Sequence, residues 1–156
     1  MDPILILMIA QTVIYTGTLI VLIFQVRAQV TAIRAEQYSK CQVDYSSLIR
    51  MLVQQNQLQS IYDDMEKVSP ITANSHWKEY NEREKAIYNY MELNYELFER
   101  VYYLWKDKWI DNETWSNWEV WLDYLSKHPI FLHVMKDNQR MFGAEFENYV
   151  LQKIQK

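Results

Sequence analysis

The stretch from Ile4 to Phe24 reads ILILMIAQTVIYTGTLIVLIF and holds no charged residue. At 1.5 Å rise per residue, its about 21 residues make a helix roughly 30 Å long, the hydrocarbon thickness of a bilayer. An uncharged run of this length exceeds what the buried helices of soluble domains carry. A cleaved secretory signal fits less well. The leading Met1-Asp2-Pro3 brings no basic side chain, and the run exits through Gln25-Val26-Arg27 with no small-x-small site. Residues 1–26 are therefore expected to be a retained transmembrane anchor ahead of one water-compatible domain.

The flanks give the anchor a direction. Before it stand only Asp2 and the terminal amine; after it come Arg27 and Arg34, ahead of the first acid, Glu36. Positive charge stays inside, so the N-terminus is expected outside and the C-terminal domain in the cytoplasm, on the inner (cytoplasmic) membrane. Cys41 is the only cysteine. It rules out an internal disulfide and a Cys-rich metal site, and it agrees with a reducing compartment.

The anchor also has a polar face. Gln11, Thr18 and Gln25 stand seven apart, and Tyr15 joins them one turn after Gln11. A glutamine amide in hydrocarbon needs a partner. Gln11, Tyr15, Thr18 and Gln25 are thus expected to meet another helix, from a second copy or from another membrane protein. A sharper alternative is a homo-oligomer in which this stripe lines a water-filled pore.

The remaining about 130 residues suffice for one domain with a real core. A net charge of −4 argues against nucleic-acid binding, which wants a basic face. Two glycines and three prolines are too few for a β-sandwich, with its frequent turns, and suit long helices. Residues 27–40 read as a helical stalk, a coiled coil if the protein oligomerises, and 41–156 as a helical bundle domain. Tyr38, Cys41, Tyr45, Leu48, Leu52, Leu58, Ile61, Tyr62 and Met65 carry helical spacing to about residue 67, across a polar run Gln54-Gln55-Asn56-Gln57. Val68-Ser69-Pro70 breaks the helix, with Asn74 or Ser75 as the next cap. A second helix is expected from His76 to Asp107, its packed face carrying Trp77, Tyr80, Ile87, Met91, Phe98, Val101 and Trp105 with polar Glu84 and Asn94 among them. Lys85, Asn89, Glu92, Glu96 and Glu99 make its solvated side. Asp111 caps a third helix, Asn112 to Lys127. His128-Pro129 ends that one and starts a fourth, which runs on through Gly143. The expected fold is all-α: an N-terminal transmembrane helix continuing into an antiparallel bundle of about four helices.

Few residues offer chemistry. The positions three before His76, His128 and His133 are Ala73, Leu125 and Ile130, so the Glu-x-x-His ligand pairs of di-iron bundles are missing, as is HExxH. Two glycines cannot build a phosphate-binding loop. No catalytic residue, metal or cofactor is expected. Glu84 reads either as a buried polar contact to an Arg or Tyr or as a ligand or proton site. Tyr102, Tyr103, Trp105, Trp109, Trp115, Trp118, Trp121 and Tyr124 form the densest feature. At helical spacing such rings read first as core, second as a ligand or partner face, third as a membrane-docking surface. Glu84, Asn94, Trp105, Trp109 and Trp118 are the candidates for the ligand or partner face.

The segment NYMELNYELFERVYYLWKDKWIDNETWSNWEVWLDYL resembles a family of small prokaryotic membrane-anchored helical proteins of unknown function. The positions that carry the likeness are Asn89, Glu92, Leu104, Trp105, Lys106, Ile110, Asp111, Trp115 and Trp118. The resemblance implies a single membrane helix, a helical domain and an inner-membrane address, and brings no activity. Together these readings point to a non-enzymatic, membrane-anchored anchoring or sensing module that binds protein. The alternatives are a small homo-oligomeric channel or membrane effector, and a small-ligand binder built on the Tyr/Trp cluster.

Overall fold

The computed structural model describes residues 2–59, 61, 80–138 and 143–154. Among these the chain is all-helical, with α1 Pro3–Gln54, α2 Asn56–Gln59, α3 Glu82–Lys106, α4 Asn112–Leu125, α5 Pro129–Asp137 and α6 Ala144–Ile154. It divides into two compact units, Met1–Gln37 and Tyr38–Lys156. The expected break at Val68-Ser69-Pro70 and the caps at Asn74 or Ser75 lie outside the described residues, as do Tyr62, Met65 and Trp77.

The first unit is helix. Its threonines turn inward on their own backbone: Thr12 donates to the Met8 carbonyl, Thr16 to Thr12 and Thr18 to Ile14, at 2.8–2.9 Å. This helix is long and apolar enough to cross a membrane.

In the second unit α3 is the hub. It buries Ile87, Tyr88, Tyr90, Met91, Asn94, Tyr95, Leu97, Phe98, Val101 and Tyr102. These positions cover much more than one stripe, because α2, α4 and α5 all pack on this helix. From α6, Phe146 reaches Tyr95 and Tyr102, with ring centroids 5.1 and 5.3 Å apart. The part of α1 within this unit contributes Cys41, Leu48 and Leu52.

Six helices stand among the described residues where the apolar pattern predicts four longer ones, and two of the breaks have local causes. Continuous helix does not extend past Gln54. The Gln55 carbonyl accepts from Leu58 and Gln59, starting a new turn, and the Gln59 side chain donates to the Val53 carbonyl. The Gln59 amide thus takes up a carbonyl that a continuous helix would pair with a backbone N–H. The expected helix from Pro129 through Gly143 is likewise two helices. α5 ends at a C-cap, Asn138, and α6 starts after Gly143, whose carbonyl accepts from Phe146 and Glu147. Gly143 is required by packing: a Cβ there would run into the Tyr103 hydroxyl and lie 3.1 Å from the Glu99 carboxylate. That carboxylate accepts from the Gly143 N–H, which pins the start of α6 to α3.

The helix expected from His76 starts later. Tyr80 and Asn81 are non-helical, and Asn81 is the N-cap. Its side chain accepts from the Glu84 N–H at 2.9 Å while the Glu84 carboxylate accepts from the Asn81 N–H at 2.8 Å. This reciprocal pair is a capping box. Tyr80 is buried as expected, but from outside the helix, with its hydroxyl 3.1 Å from His133 Nδ1.

The other caps follow the sequence reading. Asp111 accepts from the Thr114 N–H at 2.7 Å, and those hydrogen bonds hold its carboxyl below the ordinary carboxylate value. His128 Nδ1 accepts from the Ile130 N–H, with Pro129 in the first turn. Between α3 and α4 the Trp109 N–H donates to the Leu104 carbonyl and the Lys108 N–H to Trp105, a Schellman closure. Lys108 occupies its left-handed position with φ 59°, where glycine is the usual residue. Lys108→Gly is expected to raise stability by about 0.5–1 kcal/mol, read as a higher urea midpoint at unchanged slope; an unchanged or lower midpoint would refute that strain.

Candidate functional site

α1 and α4 present aromatic and amide side chains to each other and leave an open groove of about 260 Å³ between them. Its walls are Tyr38, Gln42 and Tyr45 from α1 and Thr114, Asn117, Trp118 and Trp121 from α4. The spacing explains the pairing. Tyr38, Gln42 and Tyr45 rise along one face of α1 at i, i+4 and i+7, as Thr114, Asn117, Trp118 and Trp121 do on α4.

The groove is held rigid by its own contacts. The Tyr38 hydroxyl accepts from Gln42 Nε2 at 2.6 Å and from Trp118 Nε1 at 3.4 Å. Tyr45 meets Trp118 edge-on, centroids 5.2 Å apart at 71°. Trp121 stacks on Tyr124 at 5.3 Å and 12° and donates its indole N–H to Asn94. Trp118 is nearly buried, while Tyr38, Tyr45 and Trp121 are half-buried and Asn117 and Gln42 exposed. The lining carries no charge. Such a surface can hold a flat or apolar group by stacking and orient it through amides.

The five residues expected to form one ligand or partner face do different things. Only Trp118 lines the groove. Asn94 is buried and supports it from behind, donating to the Tyr90 carbonyl at 2.7 Å and accepting from Trp121. Trp105 stacks on Trp115 at 5.2 Å and 13°, with its N–H on Asn112 Oδ1 at 2.8 Å. Trp109 is half-buried in the α3–α4 turn. Glu84 caps α3. In the first unit, Gln11 Nε2 donates to the Tyr15 hydroxyl at 2.9 Å, Thr18 bonds its own backbone, and Gln25 is exposed.

A second concavity, about 600 Å³, lies between α4 and α6 around Glu119, Asp123, Tyr149 and Lys153. Lys153 Nζ is 2.7 Å from Glu119 and 3.1 Å from Asp123, and the Tyr149 hydroxyl donates to Glu119. Burial opposes ionisation of Glu119, but the bonds from Lys153 and Tyr149 outweigh it and hold the carboxyl below its ordinary value. Burial and that same carboxylate push the Tyr149 phenol up. The group is a partly exposed polar clasp between two helices, and sequence spacing gives no hint of it.

Glu92 and Glu99, expected on a solvated face, also make tertiary bonds: Glu92 accepts from Asn138 Nδ2 at 3.0 Å and Glu99 from Gly143. Burial raises the Cys41 thiol above its ordinary value, which lowers its reactivity. No group of three or more His, Cys, Asp or Glu gathers as a metal site among the described residues. No family model, no curated protein and no solved structure matches this chain.

Proposed function

We infer that the protein is a single-pass, membrane-anchored interaction module without enzymatic activity. One observation carries this reading: every large apolar side chain from Ile4 to Phe24 is at least 45 % exposed along an uninterrupted helix. Leaving that surface in water costs about 25 cal/mol per Å², and a bilayer removes the cost. Arg27 and Arg34 favour a cytoplasmic domain, a four-helix-like bundle built on α3, at the inner membrane. The polar anchor face supplies the contact to a second helix, and the groove on α1 and α4 offers a place for a partner's apolar or flat side chain.

The test is alkaline extraction of membranes carrying the full chain, combined with protease added to intact and to permeabilised spheroplasts. The protein is expected to stay in the membrane pellet, with its domain digested only after permeabilisation. Release into the supernatant would refute the anchor, and digestion in intact spheroplasts would refute the orientation. The second reading is a small-ligand binder. It rests on the groove's size, which suits a ring or a short side chain, and on the uncharged aromatic lining.

A further inference from the structure

The anchor's polar residues do not all need a partner, and the structure separates those that do. Thr12, Thr16 and Thr18 each spend their hydroxyl proton on a carbonyl one turn back. Gln11 and Tyr15 have only each other. A primary amide and a phenol bring three donor hydrogens and acceptor lone pairs on two oxygens. One bond between them leaves donors and acceptors over, whichever way the amide is turned. In hydrocarbon no water takes these up.

The same pair lies on a seam of period seven. Met8, Gln11, Tyr15, Thr18, Leu22 and Gln25 alternate by three and four residues. A seven-residue repeat is shorter than two turns of a straight helix, so helices that keep it in contact wind left-handed around each other. Copies of one anchor enter the membrane in the same direction, which brings identical heights of the helix side by side. The leftover groups at Gln11 and Tyr15 are self-complementary, since each copy offers the donor and the acceptor that the other lacks.

We propose that the anchor associates with a second copy of itself as a parallel, left-handed pair, joined by hydrogen bonds between the Gln11 amides and the Tyr15 hydroxyls of the two copies. Leu22 and Met8 pack above and below this polar layer, and the threonine hydroxyls take no part. The pairing rests on the reading of Ile4–Phe24 as a membrane span.

The experiment uses the full chain in lipid vesicles, in a Cys41→Ser background. Single cysteines replace Met8 or Leu22 on the seam, or Ile20 on the opposite side, and are oxidised to disulfides. Covalent dimers are expected at 8 and 22 and not at 20. Equal crosslinking at all three positions, or none, overturns the proposal. In dye-labelled protein, energy transfer should show Gln11→Leu weakening association about tenfold and Thr12→Val leaving it unchanged. Loss with Thr12→Val, or no loss with Gln11→Leu, overturns the proposed bonds. Co-flotation with the vesicles is measured on each sample: protein that floats but stays monomeric refutes the pairing alone, whereas protein that does not float refutes the membrane span beneath it.

Discussion

Phe98→Ala is expected to remove about 3–5 kcal/mol from the stability of the Tyr38–Lys156 unit. Phe98 is fully buried on α3, and its ring meets Trp118 edge-on at 6.4 Å and 85°. Because α2, α4 and α5 all pack on α3, neighbours held from several sides cannot collapse into the space left by the ring. A domain of this size has about 5–15 kcal/mol in all, so the loss takes roughly a fifth or more of it. Denaturant unfolding of the reconstituted protein, followed by tryptophan fluorescence, checks this. A cost below about 1 kcal/mol would mean that α3 is not the element on which the others depend.

Ile14→Arg together with Leu19→Arg is expected to detach the protein from membranes. Both positions lie near the middle of the apolar run, and their side chains are 65 % and 59 % exposed. An arginine at a helix centre costs about 2.5–3.5 kcal/mol on insertion, so the pair costs about 5–7 kcal/mol. Ile14 lies midway between Ile4 and Phe24, where snorkelling offers little relief. The membrane-pelleted fraction should fall to a minor share, while Ile14→Leu leaves it unchanged. Near-ultraviolet circular dichroism should keep its tryptophan signature, because no buried residue of the second unit lies before Cys41. Retention of the double variant in carbonate-washed membranes would defeat the anchor reading.

What the sequence made legible is what short-range chemistry decides. Asp111 before Asn112 and His128 before Pro129 are local signals, and both cap their helices. The uncharged length of Ile4–Phe24 needs no tertiary knowledge either. The start of α3 is not legible in the spacing, because Tyr80 continues the apolar pattern of Ile87 and Met91 while lying outside the helix. Once Asn81 is the cap, Glu84 falls at its third position, and its place on the apolar stripe is coincidence. Gly143 reads as tolerable inside a helix because nothing in the sequence announces that Tyr103 and Glu99 press on it. The groove was half legible. Trp118 stood out as an aromatic, but its meeting with Tyr38 spans 80 positions. Periodicity assigns residues to faces and does not say which faces meet. The Glu119–Lys153–Asp123 clasp was invisible for the same reason.

The helix that bears the apolar run also carries Cys41, Leu48 and Leu52 into the core of the second unit. During synthesis these leave the ribosome well before α3, which ends at Lys106. At about 5–20 residues per second the core face of α1 waits several seconds for its cover. By then Ile4–Phe24, which precede that face in the chain, have already emerged. On the reading of Ile4–Phe24 as a membrane span, insertion precedes the arrival of α3, and the second unit then closes its core on its own residues, Cys41, Leu48 and Leu52 among them.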